Sequence, residues 1–304
     1  MKELKKKINY WCRDILEDHM TGKNVTAAIL DTGIMAHPDL AGRIVGRKDC
    51  VNGKEKIYDD NGHGTHVAGI LAGDGRCRNG LYAGIAPGAS LVPVKVLNHK
   101  GGGRITDVLQ GIQYVMRERV RLNIRIVNVS IGTLSHEEDR DDARLLFWVE
   151  RLWDMGIIVI AAAGNKGPGA GTITIPGVSR KVITVGACDK IHQNELPGGN
   201  IQMYSGCGPT KDCVMKPDLS TPGNRIFSCN YAFPMRSSYA YISKSGTSMS
   251  TPVVSGAAAL LLEKYPDMSN LEVKLRFWNS CDDLGLPESQ QGHGQLNIEK
   301  LLSV

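Results

Sequence analysis

Five short apolar runs rich in β-branched residues, at 25–30, 91–97, 124–129, 157–163 and 182–187, read as strands buried on both faces. Between them apolar residues recur at helical spacing, as in Ile105, Val108, Leu109, Ile112, Val115 and Met116, and again in Leu145, Leu146, Val149 and Leu152. Strands alternating with helices predict an α/β fold: three layers, with a mostly parallel central sheet covered by helices on both faces. No repeat, low-complexity tract or Pro/Ser-rich linker divides residues 1–304, so one domain with no separate pro-domain is expected. At 304 residues and 42% hydrophobic composition the chain can fill one large core. Gly-rich stretches at 101–103, 164–171 and 198–208 read as loops, and 194–241 as irregular structure with short strands.

Charge and cysteine usage narrow the function classes. The net charge of +5 is spread along the chain, which makes no case for nucleic acid or an anionic membrane as partner. Residues 8–20 are interrupted by Arg13, Asp14, Glu17 and Asp18, so no secretory h-region follows the basic start. Residues 245–262 carry no charge, but Ser, Thr, Pro and Gly at many positions favour a buried core helix over a membrane span. Eight cysteines without a C-x-x-C pair read as reduced, mostly buried thiols of a cytoplasmic protein; the chain is read as secreted only if it is a processed form.

Four segments carry chemistry. Asp31 follows the first strand, at the edge of a parallel sheet where ligands bind. His63 opens Gly62-His63-Gly64-Thr65-His66, a helix start whose dipole is expected to disfavour the imidazolium and keep a neutral base. Ser248 lies in Gly246-Thr247-Ser248-Met249-Ser250-Thr251-Pro252, ahead of an apolar helix expected from 253 to 262, where outward N–H groups can meet a developing negative charge. Asn165 ends the strand after Ala163-Gly164. Taken singly, Asp31 and Asn165 are turn formers and Ser248 is a helix cap. Asp31, Ser130 and Asn165 nevertheless all end expected parallel strands, which sets them along one sheet edge.

Together these segments resemble the motifs of the subtilisin-like serine proteases, in that family's Asp, His, Ser order, over roughly residues 25–302. Val94-Lys95-Val96-Leu97, the segment 181–187 and Ser205-Gly206-Cys207-Gly208-Pro209 look most like the intracellular alkaline proteases of spore-forming bacteria. The resemblance implies a serine endopeptidase. Ser248 would be the nucleophile, His63 the base, Asp31 its orienting partner and Asn165 a donor to the oxyanion. It also implies that Gly101, Gly102 and Gly103 and Ser130, Ile131 and Gly132 pair with an extended peptide or protein substrate, and that Ala163, Gly164 and Lys166 belong to the binding site.

Departures from the family matter. Lys166 can reach toward the P1 pocket and favour an acidic or polar side chain, or it is simply solvated. Asp39 matches a family calcium ligand, yet the companion loop 73–84 carries Arg76 and Arg78, so no metal is assigned. No cofactor is required for the chemistry. Two rival readings remain: a catalytically idle binding protein with the same fold, and a metal hydrolase using His63 and His66, which lacks the Glu of an H-E-x-x-H site.

Overall fold

The computed structural model describes residues 1–132, 140–189 and 204–303. The loop expected at 198–208 therefore falls partly outside the described residues. The strands are β1 Thr26–Asp31, β2 Lys48–Asp49, β3 Ser90–Lys95, β4 Ile124–Val129, β5 Ile158–Ala162, β6 Ile183–Ala187, β7 Leu219–Thr221, β8 Ile226–Cys229, β9 Tyr241–Lys244, β10 Cys281–Asp282 and β11 Gln295–Leu296. One sheet runs β10-β11-β7-β6-β5-β4-β1-β3-β2, and β8 and β9 form a separate antiparallel hairpin. Every sheet pair is parallel except β10 with β11, which makes this the expected mostly parallel α/β sheet.

All residues of β1 and β5 are buried, as strands covered on both faces require. Successive β1 side chains enter opposite cores. Ala27 and Ile29 join the layer that holds the helices His63–Ala72 and Thr247–Lys264, whereas Ala28 and Leu30 join the layer under Ile105–Glu118 and Arg140–Asp154.

The chain passes from β1 to β3 on one side, then returns to β4 and continues to β7 on the other. The order thus reverses at β1 and β4, and a crevice opens at the carboxyl ends of these strands. Leu30 pairs with Val129 and Val129 with Ala161, so Asp31, Ser130 and the segment after Ala162 emerge side by side at that crevice.

The helix behind the site differs from expectation. It begins at Thr247, six residues before the apolar run, and Pro252 sits inside it. A proline there removes one i to i−4 bond, the one to the Ser248 carbonyl, and burial compensates: every residue from Thr247 to Leu262 is buried except Ser248. Among the described residues no helix is long and apolar enough to cross a membrane.

Candidate active site

Asp31 is wholly buried at the end of β1, and its Oδ1 accepts the Thr32 N–H at 2.7 Å. His63 is the first residue of its helix; its Nδ1 lies 2.8 and 2.9 Å from the two Asp31 oxygens. The close fit needs glycines on either side. Gly62 has φ of 93°, a left-handed value, and a Cβ at Gly64 would collide with the Gly33 carbonyl.

Asp59, also buried, was not singled out from the sequence. Its Oδ1 accepts from the N–H groups of Asn61 and Gly62 at 3.0 and 2.8 Å and from the Thr32 hydroxyl at 2.9 Å. Its Oδ2 accepts from the N–H and hydroxyl of Thr65 at 3.0 and 2.6 Å. The only sequence signal was an acid just before a glycine-punctuated helix start.

Burial is the largest influence on His63 and works against its charged form, but the charge and hydrogen bond of Asp31, helped by Asp59, prevail over it and over the opposing Lys244 charge. The His63 pKa is therefore held above its ordinary value. This reverses the direction expected from the helix dipole alone, because two carboxylates outweigh one partial charge.

The Ser248 hydroxyl donates to the Ser130 carbonyl at 2.9 Å, so in this resting arrangement it points at the end of β4. Asn165 accepts at Oδ1 from the Thr247 N–H at 2.9 Å and the Thr247 hydroxyl at 3.1 Å, which leaves Nδ2 as its remaining donor. Nδ2 lies 3.3 Å from the Cβ position of Gly246, a residue with φ of 144°.

His63, Asn165 and Ser248 line one cavity of about 920 Å³. Gly101, Gly102, Gly103, Ser130, Ile131, Gly132, Gly164 and Lys166 line it as well. Lys166 is exposed at its edge. Ala163 does not line it: it is fully buried, its N–H donating to Val185 and its carbonyl accepting from Thr174. Its place in the site is as framework, because parallel-strand pairing uses its backbone.

Thr174 is a second residue the sequence reading missed. It lines the same cavity, is 4% exposed, and among the described residues its hydroxyl has no hydrogen-bond partner. That hydroxyl fills the space where Cβ atoms on Gly132 or Gly164 would stand. Nothing in local sequence marks it, since its neighbours come from three segments.

His66, the second residue of the rival metal reading, has its Nε2 engaged by backbone carbonyls. His66 is fully buried, with Nε2 at 3.1 Å from the carbonyls of both Ile226 and Ile242, which fastens the β8–β9 hairpin to the helix. Burial, and then the Lys244 charge, push its pKa down to about 3.

The subtilase family model matches residues 22–294. The chain belongs to the subtilase family. It is 42% identical to Serine protease AprX of Bacillus subtilis (strain 168) over 86% of this chain, and spans 62% of that relative's length. It is 35% identical to Subtilisin Savinase of Lederbergia lenta, covering 92% of this chain and 91% of that one. Among solved structures, Sphericase superposes with a TM-score of 0.77 at 28% identity, covering 92% of this subtilase and 93% of its own chain. A cold-adapted subtilisin-like serine proteinase superposes with a TM-score of 0.71 at 27% identity, covering 92% and 90%.

Proposed function

We propose that this subtilase is a serine endopeptidase that cleaves extended or unfolded protein segments through an acyl-enzyme, with Asp31, His63 and Ser248 as its triad. The observation that carries the reading is that the one residue of 247–262 not buried, Ser248, shares a cavity with an imidazole braced at 2.8 and 2.9 Å by a buried carboxylate.

In this reading Ser248 Oγ attacks the scissile carbonyl while its proton passes to His63 Nε2. Asp31 holds Nδ1–H and stabilises the imidazolium. The same proton then goes to the leaving amine, and water, deprotonated by His63, releases the acyl group. The Ser248 N–H, in the first turn of its helix, and Asn165 Nδ2 meet the oxyanion. In a subtilisin, the established example, loss of such a side-chain donor costs roughly 3–4 kcal/mol. Each of these steps uses side chains and backbone of the chain itself.

Gly101–Gly103 and Ser130–Gly132 support main-chain pairing with an extended substrate on either side of the cavity. Two polar features, the unpartnered Thr174 hydroxyl inside and Lys166 at the edge, favour a polar or acidic P1 side chain.

Eight free cysteines, five of them buried, support a reducing compartment such as the cytoplasm. The intact mass of protein from its own host reports their oxidation; a mass short by disulfide hydrogens would overturn that location.

A fluorophosphonate probe tests the activity. It should label the protein once and fail on Ser248→Ala. No labelling of folded protein would favour the idle reading instead.

A further inference from the structure

His37, Asp39 and Cys77 bring a nitrogen, a carboxylate oxygen and a sulfur within 4.8 Å of one another, and none of the three lines the catalytic cavity. Asp39 is the residue at which the family resemblance implies calcium. Calcium takes six to eight oxygens, whereas here a thiol and an imidazole face the carboxylate. The donor set does not fit that ion.

It does fit a softer one. The His37 Nε2–H donates to the Ala240 carbonyl at 2.9 Å, which fixes the tautomer and leaves the Nδ1 lone pair directed at Asp39, whose N–H reaches it at a long 3.2 Å. Asp39 Oδ2 accepts from the Tyr241 hydroxyl at 2.6 Å, and Oδ1 from the Cys77 N–H at 3.1 Å. Backing of this kind, a carbonyl behind the imidazole and a hydroxyl behind the carboxylate, orients metal ligands. His37 and Asp39 are at least 98% buried, while Cys77 is partly exposed and gives an ion a way in. One carboxylate and one thiolate neutralise a divalent charge, and neighbouring Arg76 is already held by Asp74 at 2.9 and 2.6 Å.

We propose that His37 Nδ1, the Asp39 carboxylate and Cys77 Sγ bind a thiophilic divalent ion of the zinc class, with water as fourth ligand, where the family resemblance implies calcium. Binding exchanges the Cys77 thiol proton for the metal–sulfur bond, releasing one proton to solvent, and breaks the long Asp39 N–H bond to Nδ1.

Cobalt(II) is the probe, added to reduced, metal-stripped full chain carrying Ser248→Ala to stop self-digestion. One equivalent should bind with a thiolate-to-cobalt charge-transfer band and strong tetrahedral visible bands. Zinc should displace it and excess calcium should not. The charge-transfer band should vanish in Cys77→Ser and persist in Cys213→Ser, whose thiol is exposed. Tyr241→Phe should weaken binding roughly 10- to 100-fold, as loss of a backing hydrogen bond does. His37→Gln serves as a second ligand variant if circular dichroism shows Cys77→Ser unfolded. Absence of cobalt binding, a band that survives folded Cys77→Ser, or displacement by calcium overturns the proposal, and none of these outcomes bears on the triad.

Discussion

Asn165 and Thr247, 82 positions apart, are tied twice: the Thr247 N–H and hydroxyl both donate to Asn165 Oδ1. The same hydroxyl accepts the Gly164 N–H at 3.2 Å, so one threonine couples the strand β5 loop to the start of the serine helix. The proposed oxyanion donor is thus held by the residue next to the proposed nucleophile, Ser248.

Thr247→Val should lower kcat by about tenfold, one hydrogen bond's worth, with KM little changed. Asn165→Ala should cost roughly 100- to 1,000-fold. In the Asn165→Ala background the valine substitution should have almost no further effect. Additive losses in that double mutant would show that Thr247 does not act through Asn165.

The acid limb of kcat/KM should lie above the ordinary histidine value of about 6.5, since only the neutral imidazole is a base and the Asp31 and Asp59 charges favour its protonated form. Asp59→Asn removes a negative charge and should move the limb down. Lys244→Gln removes a positive one and should move it up. Limbs that fail to move in opposite directions would sink this account.

Thr174→Val should lower kcat/KM for polar P1 residues by roughly 2- to 10-fold and spare apolar ones, measured with a P1-varied peptide library. Lys166→Ala should selectively slow cleavage after Glu and Asp. Because the Thr174 hydroxyl is buried with no partner among the described residues, the valine variant should melt no lower than the parent. A lower melting temperature would reveal a bond the hydroxyl makes in the free enzyme.

Away from the site, Asp218 is the carboxylate between two buried ammonium groups, Lys216 at 2.6 Å and Lys274 at 3.2 Å. Asp218→Ala should destabilise by about 3–5 kcal/mol in urea unfolding, because it leaves buried charge uncompensated. Burial opposes its ionisation, but the two lysines prevail and hold its pKa below the ordinary value. Its contribution is therefore present above the unfolded carboxylate's pKa and lost as pH falls through the folded value. The variant should show a smaller loss of stability on acidification than the parent.

The amino-acid sequence by itself determined the layered α/β architecture and the central strands to within a residue or two, and it put forward Asp31, His63, Asn165 and Ser248 as the candidate set. Those features rest on local periodicity and on short motifs, which each segment carries alone. The two-residue strand β2, the antiparallel pair β10 and β11, and the early start of the Thr247–Lys264 helix were not legible, because partner strands and burial, not propensity, define them. Tertiary structure alone decided the direction of the His63 shift, the Thr247 tie to Asn165, the stranded Thr174 hydroxyl and the meeting of Cys77 with His37 and Asp39. Each depends on atoms distant in sequence coming within about 3 to 5 Å, where electrostatic and hydrogen-bond energies change steeply with position.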